Sequence, residues 1–382
     1  MIHHGKLEPV LDPRGKQARG RLELAPRVSL DDLRRGPLLF YDNGKLAAVN
    51  YSEIFKRIKE NLQTKGISNF IDFQEAIRGK SLREIRELAA RLARSGAIAA
   101  VVALGDMGVS PATTVLSIAL EEQGLPSVYL TASPGHELAR AVAFYRAGQL
   151  CLCPMDLFQG SRVEDIRAEV DRHMPCILES LTLDRDQIHK RSQLDFPLDR
   201  EPPAENGLLE IGPQSKAAPF SSPLEPGCNL EEVMDLLDSL RLGDGLPVVP
   251  PTLRRYKRML SFCPFDPDMV LISELGPSGR DITVKDAAIA AVMAGCRPDY
   301  MPILITAFKA MADPRYNMLQ GVTTSHLGGN MILISGPIAR EVGIHSGQGC
   351  LGPGFRANAT IGRAVNLALI NVCRAVPGYA DL

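Results

Sequence analysis

The run Ala97–Leu104 (Ala-Ile-Ala-Ala-Val-Val-Ala-Leu) holds no polar side chain. A strand that is apolar on both faces has to be covered on both faces. That is the position of a central strand in a parallel sheet with helices above and below it. The following residues supply the rest of the unit. Gly105–Pro111 reads as a loop, Ala112–Gln123 as a helix closed by Gly124, and Pro126–Leu130 as the next strand. Strand, loop, helix and strand of these lengths make a βαβ unit. Upstream, Pro37–Tyr41 reads as a short buried strand and Asp42-Asn43-Gly44 as its turn. Tyr51–Lys65 places Ile54, Ile58 and Leu62 at helical spacing. Ser81–Ser95 does the same with Leu82, Ile85, Leu88, Ala89 and Leu92. The fold class is therefore α/β. Ligands of such sheets gather at the carboxyl ends of the strands, which directs attention to the loop at 105–111.

A chain of 382 residues is long enough for two domains. Residues 1–28 are polar and read as an N-terminal arm, and 29–194 as the parallel βαβ domain. Residues 195–227 carry seven prolines and little apolar periodicity, so they read as a linker. Residues 228–382 form a second α/β or α+β domain. Its expected helices are Leu230–Leu240, 283–294, Asp299–Met311 and Asn358–Cys373, with a buried strand at Met331–Ser335. Thr283 and Asp286 have the spacing of a capping box.

Composition excludes several classes of partner. With 43 basic and 44 acidic side chains there is no basic surplus for nucleic-acid phosphates. Aromatics are 5% with no Trp, so a stacking platform for single strands is not expected. No stretch approaches the ~18 apolar residues of a membrane span. The eight cysteines are sparse and irregular, unlike a disulfide framework. The first residues lack the apolar core of a signal peptide. A cytoplasmic, oligomeric protein with reduced thiols is expected.

Five constellations carry chemistry. In the loop at 105–114, Ser110, Thr113 and Thr114 offer hydroxyls beside a helix N-terminus, a combination suited to an anion. The alternative is a plain strand-to-helix turn capped by Ser110. Segment 343–358 places five glycines in twelve residues, which points to backbone approaching a ligand. Ser346, Gly347, Gln348 and Asn358 would line it. Arg356 can grip a carboxylate or phosphate, and His345 can move a proton. The alternative is a structural crossover with a satisfied histidine. No Walker A or dinucleotide fingerprint is present, which disfavours a dehydrogenase. Cys296 beside Arg297 is a candidate nucleophile of lowered pKa, or else a buried thiol at a helix corner. Thr323, Thr324, His326 and Asn330 can line a polar pocket. Cys151-Leu152-Cys153 sends two thiols to one face of a strand. With no second close pair, a zinc site is not indicated.

The N-terminal half resembles the UGSC-type (seleno)protein family. The resemblance rests on residues 10–13, 24–27, 41–45, 105–106 and 121–128 and covers about 9–175. It is distantly similar to the selenoprotein subunits of glycine reductase. The resemblance implies a Sec/Cys-Gly-Ser-Cys motif after the central strand. This chain has Met107-Gly108-Val109-Ser110 there, so neither redox position holds a thiol. The second domain resembles uncharacterised proteins that accompany this family, through residues 244–252, 291–302, 335–338 and 352–363. Those relatives continue beyond the equivalent of Pro377-Gly378, so a second polypeptide supplying the missing segment is expected.

The expected function is an enzyme or enzyme subunit acting on a small anionic metabolite, with its site between the two domains. Arg356 and the glycine-rich loop would hold the anion. His345 or His326 would move a proton, and Cys296 would be nucleophile or redox thiol. Cleavage or reduction of a carbon–heteroatom bond follows from the resemblance; a lyase or hydratase would need no redox thiol. The rival is a non-catalytic binding or scaffolding subunit. No cofactor is named by any motif.

Overall fold

A computed structural model describes residues 9–15, 22–106, 108–199, 203–204, 206–209, 230–323 and 329–379. The chain divides into two compact units. The sheet unit comprises Arg19–Phe196, Leu319–His326 and Pro377–Leu382. The helical unit comprises Met1–Ala18, Pro197–Met318 and Leu327–Val376.

The sheet unit opens with α1 (Leu30–Arg35), β1 (Leu38–Asp42), α2 (Ser52–Gln63), β2 (Phe70–Gln74) and α3 (Leu82–Ala93). It continues with β3 (Ala99–Gly105), α4 (Ser110–Glu122), β4 (Ser127–Ala132), α5 (Ser133–Arg146), β5 (Leu152–Met155), α6 (Val163–Thr182) and α7 (Arg185–Ser192). The strands form one sheet in the order β2-β1-β3-β4-β5, every pair parallel. Leu38 lies opposite both Phe70 and Ala99. All seven residues of β3 are buried, as its two apolar faces require. On one face, Leu38, Phe40, Val101, Val128, Leu130 and Cys153 meet the apolar stripes of α2 and α6. Helices α3, α4 and α5 pack side by side. Capping boxes at Ser29/Asp32 and Ser81/Glu84 start α1 and α3.

The helical unit is built around α10 (Val284–Ala294) packed along α14 (Arg356–Asn371). Before α10 come α8 (Leu230–Ser239), α9 (Leu253–Leu260) and the antiparallel pair β6 (Val270–Leu275) and β7 (Arg280–Thr283). After it come α11 (Met301–Met311), α13 (Pro337–Glu341) and α14; the short α12 (Met318–Gly321) lies between α11 and α13 in sequence and falls, from Leu319 on, within the sheet unit. In the N-terminal stretch, Val10 and Leu11 are buried and bridge to Thr252 and Leu208. Helix α10 is buried almost throughout and ends at Gly295, whose φ of 82° is the left-handed value of a glycine C-cap. Thr283 caps its start by accepting from the Asp286 amide, and the Asp286 carboxylate accepts from the Thr283 amide. Thr283→Ala is expected to cost about 1 kcal/mol. Denaturant unfolding of the full chain reads this, and an unchanged midpoint would deny the cap any contribution.

Two expected elements are corrected. Met331–Ser335 is not a buried strand: Met331 is 73% and Leu333 84% exposed. A short apolar run becomes a strand only with a ladder partner, and the β6–β7 pair does not include it. The helix expected over Asp299–Met311 is a 3-10 turn at Pro298–Tyr300 followed by α11, because Pro302 sits at the start of the α-helix, where a missing N–H costs little. Among the described residues, no helix is long and apolar enough to cross a membrane.

Candidate functional site

In the sheet unit the strand order reverses between β1 and β3. Open α/β sheets bind ligands outside the carboxyl ends of the strands at that point. Asn43 and Lys45 follow β1, and Asp106 follows β3. Asn43 Nδ2 donates to Leu104 O (2.9 Å) and Thr113 Oγ1 (2.7 Å), tying the two strand ends together. Lys45 Nζ stands 3.2 Å from Asp106 Oδ2. The Tyr51 hydroxyl is buried and, among the described residues, without a hydrogen-bond partner. Burial, and then the charge of Asp106, push its ionisation well above the ordinary value. From the β4–α5 side, Thr131 Oγ1 lies 2.8 Å from His136 Nδ1, and burial pushes His136 down. Only glycine fits at 135: a Cβ there would come within 2.4 Å of Ser110 Oγ and 2.7 Å of Asp106 Cα.

The hydroxyls expected to hold an anion in this loop are turned elsewhere. Ser110 Oγ donates to Asp106 O (3.0 Å), Thr113 Oγ1 to Val109 O (2.9 Å) and Thr114 Oγ1 to Ser110 O (2.7 Å). All three side chains are buried. The cap position is Val109, not Ser110, and no side chain caps the helix. A buried hydroxyl inside a helix satisfies itself on the carbonyl one turn back. Met107 lies outside the described residues.

The helical unit assembles a basic cavity of about 270 Å³. Helix α9 supplies Arg255 and Arg258, three apart and so on one face. The end of α10 supplies Cys296 and Arg297, and the start of α14 supplies Arg356. Arg297 is neutralised by Asp299. Arg356 donates through Nε (2.9 Å) and a terminal nitrogen (2.8 Å) to Gly295 O, so it also satisfies a carbonyl at the end of α10. Arg255 donates to Pro250 O at 3.1 Å. Among the described residues, the Arg258 guanidinium has no hydrogen-bonded partner. Nearby, Arg363 grips Asp244 through two bonds of 2.7 and 2.8 Å.

Cys296 and Arg356, separated by sixty residues of sequence, thus share one cavity. The lowered pKa expected of Cys296 is corrected. Burial dominates and pushes the thiol up to about 11, although Arg356 and Arg363 pull the other way. The thiol donates to Thr360 O at 3.3 Å. At pH 8, alkylation of Cys296 is therefore expected to run more than about tenfold slower than that of a thiol at the usual value near 8.5. Timed iodoacetamide labelling with peptide mapping reads this, and a rate matching a free thiol would contradict it.

The glycine-rich loop is tied to itself. Asn358 Oδ1 accepts from the His345 amide (2.9 Å), and Asn358 Nδ2 donates to His345 O (2.9 Å) and Cys350 O (3.1 Å). The His345 ring stacks on Phe355 with centroids 3.9 Å apart, and its Nε2 lies 3.0 Å from Gln348 O. His345 does not line the arginine cavity. Ser346, Gly347 and Gln348 are exposed on the same loop. Thr323 Oγ1 is buried and donates to Leu319 O at 2.7 Å. Asn330 accepts from the Tyr316 hydroxyl at 2.7 Å and lines a separate, mainly apolar cavity of about 510 Å³. Thr324 and His326 lie outside the described residues. Among the described residues, no cluster of three or more His, Cys, Asp or Glu side chains could hold a metal ion.

Sequence reasoning missed Arg255, Arg258, Lys45, Tyr51 and His136. The basic run Arg254-Arg255-Tyr256-Lys257-Arg258 was the one legible signal. No curated protein and no solved structure matches the chain. The model of the UGSC family matches residues 9–182. The stretch that matches holds the parallel sheet and the Lys45–Asp106 crevice, and in it the chain is similar to the UGSC family.

Proposed function

We propose that the chain is an enzyme or enzyme subunit that takes a small anionic, carboxylate-type metabolite into the arginine-lined cavity of its helical unit. One observation carries this reading. Four arginines from three separate elements converge on a cavity of small-molecule size, and among the described residues only Arg297 of the four is paired with an acid. Guanidinium groups offer planar, forked donors that match carboxylate and phosphate oxygens. An anion there would be held by Arg258 and Arg356, with Arg255 adding charge from the same wall. The sheet unit's crevice is less suited to an anion, because the Asp106 carboxylate stands in it and its hydroxyls face their own helix.

The reaction class suggested by the family resemblance is thiol-dependent cleavage or reduction of a carbon–heteroatom bond. A second reading, a non-catalytic binding subunit, draws on the cavity wall itself. Among the described residues, that wall holds arginines and a thiol pushed up to about 11, and neither a histidine nor a carboxylate. A lyase or hydratase would need its proton-transfer group from elsewhere.

Calorimetric titration of the full chain with acetate, succinate and inorganic phosphate tests the proposal. Saturable binding that weakens with added salt is expected, since exposed charges are screened. Failure of all three anions to bind would overturn it.

A further inference from the structure

The arginine cavity is cationic on its rim and apolar on its floor. Arg258, Arg297 and Arg356 are exposed. Met259, Val292 and Cys296 line the same cavity and are only 3%, 4% and 6% exposed. Val249 and Pro298 complete the apolar lining. The groups around the floor that could meet a polar ligand atom are already engaged. The Cys296 thiol donates to Thr360 O at 3.3 Å, and its amide donates to Ala291 O at 2.9 Å. The Val249 amide donates to Met293 O and the Gly295 amide to Val292 O, both at 3.0 Å. Gly295 O accepts from Arg356.

A hydroxyl or a second carboxylate set on that floor loses its water and gains no partner, which is costly. An alkyl group set there gains by leaving water. We infer that the ligand is a short-chain aliphatic carboxylate, with its carboxylate at the rim arginines and its alkyl group on the floor of Met259, Val292 and Cys296. This rests on the reading of the cavity as an anion site and narrows it to one class of carboxylate. Met259 and Val292 then set specificity, while the arginines supply the charge.

The volume sets the length of the alkyl group. A cavity of about 270 Å³ holds about nine non-hydrogen atoms, at about 30 Å³ for each. Carboxylates up to hexanoate fit within it, and decanoate does not.

The test is calorimetric titration of the full chain with acetate, butyrate, valerate, hexanoate and decanoate. 4-Hydroxybutyrate is added as the control, because it matches valerate in shape and carries a hydroxyl in place of the terminal methyl. Affinity is expected to rise about fourfold per methylene from acetate to hexanoate, and no further at decanoate. 4-Hydroxybutyrate is expected to bind at least about tenfold more weakly than valerate. Met259→Gln keeps the side-chain length and puts an amide on the floor. In it the gain per methylene is expected to shrink, while salt-sensitive acetate binding stays. The series on the unaltered protein stands even if this variant fails to fold.

Equal affinities for acetate, valerate and 4-hydroxybutyrate would overturn the inference and leave the anion site standing. An undiminished gain per methylene in Met259→Gln would also overturn it, because the alkyl group would then lie elsewhere, as in the apolar cavity beside α11. Failure of every carboxylate to bind would take the anion reading down with it.

Discussion

Glu121→Ala is expected to destabilise the sheet unit by about 3–5 kcal/mol, the cost of removing one member of a buried ion pair. The carboxylate, on the last turn of α4, is fully buried, and its partner Arg27 is 3% exposed. One oxygen accepts from the Ser127 amide (2.7 Å) and hydroxyl (3.0 Å). The other accepts from the Ala25 amide (2.9 Å) and Arg27 (2.8 Å). One side chain thus joins the chain before α1, helix α4 and the start of β4. Alanine leaves a guanidinium and two amides without their acceptor in a site that water does not reach. Glu121→Gln keeps the shape and one acceptor, so it should lose less. The double change Glu121→Leu with Arg27→Met removes both charges and should recover part of the loss. Urea unfolding of each variant reads the order. A loss below about 1 kcal/mol for Glu121→Ala, the level of a surface pair, would contradict the account.

The second large effect concerns the cavity. Arg255→Ala combined with Arg258→Ala should weaken anion binding by about 100-fold or more. Each charge-assisted hydrogen bond contributes about 1.5–3 kcal/mol, and partial exposure places both arginines at the lower end. Among the described residues, the two guanidinium groups make one hydrogen bond, from Arg255 to Pro250 O, so stability should change little. Arg356→Ala is a poorer probe, because it also strips the acceptor Gly295 O of two donors. Arg258→Lys separates charge from shape: it keeps the cation and loses the fork, so an intermediate affinity is expected. Calorimetric titration reads all three. Equal affinity in the double variant and the unaltered protein would place the anion elsewhere.

The parts of the fold legible in sequence are those with an unambiguous period. The two-faced run at 97–104 demanded a central parallel strand, and β3 is buried at every position. The stripes on α2 and α3 matched their buried residues, and the Thr283/Asp286 spacing gave a real capping box. The edge strand β2 and the β6–β7 pair mix charged and apolar residues without a clean period, whereas the strand at Cys151–Cys153, which β5 overlaps, was read. At Met331–Ser335, composition suggested a strand, but only a partner makes one.

The candidate site was legible in pieces. Cys296 and Arg356 were singled out separately, and their shared cavity follows from α10 lying along α14. Hydroxyls were misread because sequence shows the donor and not its direction; Ser110, Thr113 and Thr114 all turn back into their own helix. The Arg297 effect on Cys296 failed because Asp299, two residues on, takes the guanidinium.

The most direct measurement is a crystal structure of the full chain with the anion that titration identifies. The account predicts its oxygens within hydrogen-bond distance of the Arg258 and Arg356 guanidinium groups. An anion found beside Lys45 in the sheet unit, with the arginine cavity holding none, would contradict it.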